Sequence, residues 1–253
     1  MSKIAFYTDS REVFDIAEFG GISYFILDKS IHSKKFITSI CKNSSIIGCN
    51  YEEHCGNDVC TYPNAFISII NKCKGNGLGK SLLIKRFVYT AEQERGYENK
   101  IDNSDIDVMQ GEKCVGYMPA SELYTRQYLE KYKIITPIII SGNTSIDKNG
   151  YFCRYFNAYY IGPNQVPKGS FPILRYFDTE MEAKSFCSYV HTKFFIFLLS
   201  IGVCGTTLTS EFFRFVPDPG SFDHIFTDVE LYKKYNLTND EINIIESVIK
   251  ERK

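Results

Sequence analysis

Four soft ligands fall within twelve residues: Cys49, His54, Cys55 and Cys60. Zinc gathers such groups four at a time around a tetrahedron, usually with a C-x₂₋₄-C pair among them. The spacing here contains no such pair, and adjacent His54 and Cys55 are poorly placed to face one ion. Reduced thiols, buried or at the surface, are the better reading, and the odd total of nine Cys fits thiols better than a disulfide framework. Residues 74–81, KGNGLGKS, end like the phosphate-binding loop G-x-x-x-x-G-K-[ST], but Lys74 stands where that loop opens with glycine. A glycine-rich linker explains the segment better. A metal-dependent nuclease centre built on Glu-x-Lys has no such triplet to draw on. The four His, at 32, 54, 191 and 224, lie in no nucleophile motif.

The basic and aromatic interleaving of residues 131–176 is more informative. It carries Lys131, Lys133, Lys148, Arg154, Lys168 and Arg175 against one acid, Asp147, among many Tyr and Phe. Lysine and arginine neutralise phosphates, while Arg, Tyr and Asn reach base edges or stack on bases. The chain as a whole is balanced, with 29 basic and 30 acidic side chains. The balance is uneven along it: residues 1–73 are net −1, residues 74–176 net +4 and residues 177–253 net −4. A basic middle meets a polyanion locally whatever the total charge.

A length of 253 residues with 44% apolar content supports a real core and argues against a disordered chain. The longest apolar run, residues 194–199, is far short of the roughly 20 residues that span a bilayer. The first residues, MSKIAFYTDSREVF, contain no secretory h-region, so a cytoplasmic protein without a membrane segment is expected.

The elements that must position these groups divide into three stretches. In the first, residues 3–7 and 22–27 read as strands, the second apolar enough to be buried. Residues 28–33 read as a turn, and residues 36–40 as a strand returning antiparallel. Residues 43–64 read as a polar loop, residues 65–70 are ambiguous between helix and strand, and residues 74–80 read as the linker. In the middle, residues 106–110 and 113–118 flank Gly111-Glu112 as a hairpin. Residues 121–132 suggest a short helix, residues 133–140 a strand that Pro137 pushes toward a sheet edge or a bulge, and residues 162–172 an irregular loop. In the last stretch, Thr179 with Glu182, Thr227 with Glu230 and Thr238 with Glu241 have capping-box spacing. The first box opens a helix expected to run to about Ser200, with Ala183, Phe186, Val190, Phe194, Phe197 and Ile201 on one face.

Three segments carry a family resemblance: FDTEMEAKSFCSYVHTKFFIFLLS at 177–200, RFVP at 214–217 and FTDVELYKKYNLTNDEINIIESVIK at 226–250. Together they resemble the end of the type II adenine-specific DNA methyltransferases of restriction–modification systems, including fused methyltransferase–endonucleases. The last segment is the most specific, since that family commonly ends in a similar TD-x-x-LYKKYGLT-x-x-E tail. Asn236 stands where glycine is usual there, and Ile196 where arginine is frequent. Residues 106–141 resemble the family's target-recognition region, and residues 1–73 the final strands of its catalytic α/β domain.

The resemblance implies an α+β protein in which truncated methyltransferase-like strands (1–73) precede a mixed β-rich recognition domain (74–253) with a helical tail (221–253). Neither the glycine-rich S-adenosylmethionine motif nor an Asn-Pro-Pro-Tyr or Asp-Pro-Pro-Tyr motif is present. S-adenosylmethionine is therefore expected in a catalytic methyltransferase partner, with duplex DNA as the ligand of this chain. The candidate DNA contacts are Lys113, Tyr117, Arg126, Lys131, Lys133, Arg154, Lys168, Arg175, Lys193 and Arg214. Three alternatives stay open: an active methyltransferase or restriction endonuclease with unrecognised catalytic residues, a protein-interaction subunit docking through the sheet edge, and an inactive fragment of a split gene.

Overall fold

A computed structural model describes residues 3–7, 13–15, 22–30, 35–42, 45–53, 64–73, 77–84, 96–123, 126–140, 156–203 and 207–249. It is a mixed α+β chain. The strands are β1 (Lys3–Tyr7), β2 (Ile22–Ile26), β3 (Lys35–Lys42), β4 (Ser45–Glu53), β5 (Ile106–Gln110), β6 (Lys113–Met118), β7 (Tyr132–Ile135), β8 (Tyr159–Ile161), β9 (Gln165–Pro167) and β10 (Ile173–Phe177). The helices are α1 (Asn64–Cys73), α2 (Glu180–Val190), α3 (Lys193–Gly202), α4 (Asp228–Lys234) and α5 (Asn239–Val248). Two compact units emerge, both discontinuous: residues 1–73 with 142–154 and 235–253, and residues 74–141 with 155–234.

The first unit holds a four-stranded sheet of order β2-β1-β3-β4. β3 runs parallel to β1 and antiparallel to β4, rather than returning antiparallel in the expected way. Residues 45–53, expected in a loop, form β4, because pairing along the length of β3 supplies backbone partners that the side chains do not announce. The ambiguous segment 65–70 is helical, within α1. β2 forms as read but is not buried. It is an edge strand on which Tyr24, Phe25 and Ile26 are each half exposed or more. Helix α5 opens with the expected capping box: Thr238 N–H donates to Glu241 Oε2 (2.7 Å) and Glu241 N–H to Thr238 Oγ1 (3.3 Å). The same carboxylate joins α5 to α1, accepting from Lys72 Nζ (2.6 Å) and Ser68 Oγ (2.7 Å). Burial pushes Glu241 up, but these hydrogen bonds outweigh it and hold the group at about 2.

The second unit is layered. A sheet of order β10-β7-β8 has Ile135, Ile161 and Ile173 packed with Ile106, Val108, Met118 and Val166 of a second sheet, order β6-β5-β9. Successive residues of a strand face opposite ways, so Tyr132 and Ile134 turn to the other face. There α2 packs across β7, β8 and β10, with Phe186 5.5 Å from Phe177 ring to ring. β9 lies within the segment read as an irregular loop and pairs parallel to β5. β7 ends at Ile135, before Pro137, and sits at the centre of its sheet rather than at its edge.

The long helix expected to Ser200 is two helices meeting at 66°. Thr192 Oγ1 accepts from Phe195 N–H (3.1 Å) and starts α3, while Asp228 accepts from the amides of Lys193 (3.1 Å) and Phe194 (2.8 Å). All six residues of the expected apolar face are buried nonetheless. Residues 121–132 form no α-helix among the described residues: a 3₁₀ turn, Ala120–Glu122, is followed by hydrogen-bonded turns. The third capping box is half made. Thr227 Oγ1 accepts from Glu230 N–H, but the Glu230 carboxylate is on His224 Nε2 (2.7 Å).

The described part of the glycine-rich segment is a packed element, not a flexible linker. Leu78 is fully buried and its amide donates to Val216 O (2.7 Å). A Cβ at Gly79 would stand 2.5 Å from Ser210 O, so glycine there permits close backbone approach. No single helix is long and apolar enough to cross a membrane.

Candidate nucleic-acid interface

The structure sorts the basic residues by what their head groups touch. Lys133, on the core-facing side of β7, is fully buried. Its ammonium donates to the carbonyls of Tyr128 (3.1 Å), Leu129 (3.2 Å), Lys131 (2.6 Å) and Gly162 (2.9 Å). Burial pushes it down to about 7, with Glu130 pulling the other way. This side chain is a structural tie between the 128–131 turn and the 162–165 turn and reaches no surface, which removes it from the expected DNA contacts.

Arg175 is half-buried and held by partners within the unit. Its guanidinium donates to Ser81 Oγ (3.0 Å) and Asp218 Oδ2 (3.1 Å) and lies over the Phe222 ring at 4.8 Å. Ser81, the last residue of the phosphate-loop look-alike, donates in turn to Asp218 (2.7 Å). Arg214 donates to Gly202 O (2.8 Å), closing the C-terminus of α3, where a cation is favoured by the helix dipole. Lys193 lies half-buried at the start of α3. Lys131 is paired with Asp178, whose hydrogen bond raises it. Tyr117 is half-buried, hydrogen-bonded through its backbone to Tyr97, with Lys100 5.0 Å above its ring. Arg126 is exposed and donates to Ala120 O (3.3 Å). Arg154 lies outside the described residues.

Two of the expected contacts are brought together. Lys113 opens β6 directly across from Gln110, the last residue of β5, and both are exposed. Residues directly opposite on an antiparallel pair point to the same face. Lys168 follows β9, its amide donating to Met109 O (2.7 Å), and its ammonium donates to Gln110 Oε1 (3.1 Å). Two lysines and an amide thus gather at the turn end of one sheet. Gln110 carries no charge to mark it in the sequence. The signal for it was its place beside the Gly111-Glu112 turn.

The cysteine patch contributes no metal site that the structure describes. Cys49 falls on β4, and His54, Cys55 and Cys60 lie outside the described residues. Among the described residues no three His, Cys, Asp or Glu side chains gather to hold an ion. Cys73 is buried in α1, its thiol pushed up to about 12 by burial and then by Glu241, which keeps it protonated.

Compared with known proteins, the chain matches no family model, no curated protein and no solved structure.

Proposed function

We propose that this chain is the DNA target-recognition module of a type II adenine-specific restriction–modification methyltransferase, acting in the cytoplasm beside a catalytic chain that binds S-adenosylmethionine. The observation that supports it most is the pairing of Lys113 and Lys168 around Gln110 on an exposed sheet end. Lysines at such a place neutralise phosphates and set register, while a neighbouring amide reads bases. Arg126 is a further exposed cation of the same unit. The strands of the first unit stand, in this reading, for the end of a methyltransferase sheet.

Salt titration of duplex binding tests the proposal. The full chain binds a random-sequence duplex with log K falling linearly against log salt, by about 0.9 per phosphate neutralised. Lys113→Gln with Lys168→Gln lowers that slope by about two contacts. Binding that is absent, or insensitive to salt, alone and with a methyltransferase catalytic chain present, overturns it.

A second reading, a protein-interaction subunit, is favoured by β2, an edge strand whose apolar side chains are exposed. Such an edge accepts a partner strand through its backbone. Co-purification with a methyltransferase catalytic chain that Phe25→Asp abolishes, in a protein that binds no duplex, would select it.

A further inference from the structure

We infer that the turn end of the β5–β6 hairpin is an array of hydrogen-bond donors that reads the major-groove edge of a guanine. The inference rests on the duplex-binding reading above and adds which base that surface takes.

The argument begins with the lysine–glutamine contact. An ammonium carries donors only, so a glutamine amide beside it must turn its oxygen inward. With Lys168 Nζ on Gln110 Oε1 at 3.1 Å, the Gln110 NH₂ is the end left for a ligand. Lys113 stands directly across the strand pair. This sheet end therefore offers donors only: the Gln110 NH₂ for a base, with a lysine on either side of it in the strand register for the flanking phosphates. In the major groove guanine offers two adjacent acceptors, O6 and N7, whereas adenine sets its N6 amino donor beside N7. A donor array complements the first and is opposed by the second. The acceptor-only group of the turn is Glu112, which is exposed. It has the complementary character to the N4 amino group of the cytosine paired with that guanine.

The turn is built to hold this pattern. Gln110 pairs with Lys113, leaving two residues between them, and Gly111 adopts φ +63° while Glu112 does not take a positive φ. That is the requirement of a type II′ hairpin turn, with glycine first. The Tyr159 ring backs the turn, its nearest atom 3.3 Å from where a Gly111 Cβ would stand. A bulge between Val108 and Met109 adds local twist one residue before the array. A two-stranded ribbon is of a size the major groove admits.

The test starts from the full chain and a randomised duplex pool. Each guanine of the enriched sequence is then replaced by 7-deazaguanine, which lacks the N7 acceptor, or by inosine, which keeps O6 and N7. At one guanine, 7-deazaguanine weakens binding about tenfold and inosine leaves it unchanged, within the range of a good base contact. In Gln110→Ala, and in Gln110→Glu, which keeps a partner for Lys168 but removes the NH₂, that penalty disappears while the salt dependence remains. Salt-dependent binding without sequence enrichment, no guanine sensitive to 7-deazaguanine, or a penalty that survives both substitutions overturns the inference and leaves duplex binding standing. Absence of duplex binding by the unaltered chain overturns the duplex reading and this inference with it.

Discussion

β2 of the first unit and β7 of the second are both short strands of largely apolar sequence, and they end in opposite environments. β7 has a sheet on one side and α2 on the other, and even its lysine is buried. β2 is exposed at four consecutive residues from Ser23 to Ile26, although ISYFI is the more apolar of the two strands. An apolar, β-branched run sets the propensity for a strand. Burial is decided by whether another layer covers the strand, and that information lies elsewhere in the chain.

Truncations on the two sides of this contrast should differ most. Phe186→Ala removes a ring packed against Phe177 and Phe222 and is expected to cost about 3–5 kcal/mol. Phe25→Ala, at a side chain 64% exposed, should change stability by less than about 0.5 kcal/mol. Denaturant unfolding measures both, and comparable losses would dissolve the contrast.

Lys133→Met keeps the bulk of the β7 side chain but leaves its carbonyl partners without their donor, an expected loss of about 1–3 kcal/mol. The pH profile identifies the cause. The folded protein releases the Lys133 proton near pH 7 and the unfolded chain near its ordinary value of 10.5, so in between the unfolded state binds more protons. Stability then rises with pH over that window. The methionine variant should lack this rise.

Acid should act on the first unit through Glu241. Its folded value of about 2 lies below the ordinary 4.5, so its contribution is complete above pH 4.5 and fades as pH falls toward 2. Glu241→Gln should flatten the acid limb of the unfolding profile, and an unchanged limb would deny Lys72–Glu241 that role. A smaller effect separates the two capping boxes of the Thr179 and Thr227 type. Thr179→Ala should cost about 1 kcal/mol, and Thr227→Ala less, because only one of its two reciprocal bonds is made.

What could be read beforehand follows a physical line. The β5–β6 hairpin and the boxes of α2 and α5 are local devices, in which the residues that make the bond sit two or three positions apart. They appear in the structure where the sequence put them. The glycines of 74–81 were legible as glycines but not as close packing, because freedom and tight approach require the same missing Cβ. In the sequence Lys133 looks like a surface cation, because its acceptors are backbone carbonyls of residues 128–131 and Gly162, which no motif marks. The break at His191–Thr192 was hidden by an apolar face continuous across both helices. Of the expected interface, the lysines were visible as charge. The neutral Gln110 between them emerged only when the strands were paired.

The bond from Asp228 to the start of α3 has a consequence for synthesis. The Lys193 and Phe194 amides emerge from the ribosome more than thirty residues before the carboxylate that receives them. Until translation passes position 228, the most apolar helix of the second unit has two amides at its leading turn still waiting for that acceptor. Those two bonds can form only once the start of α4 has been made.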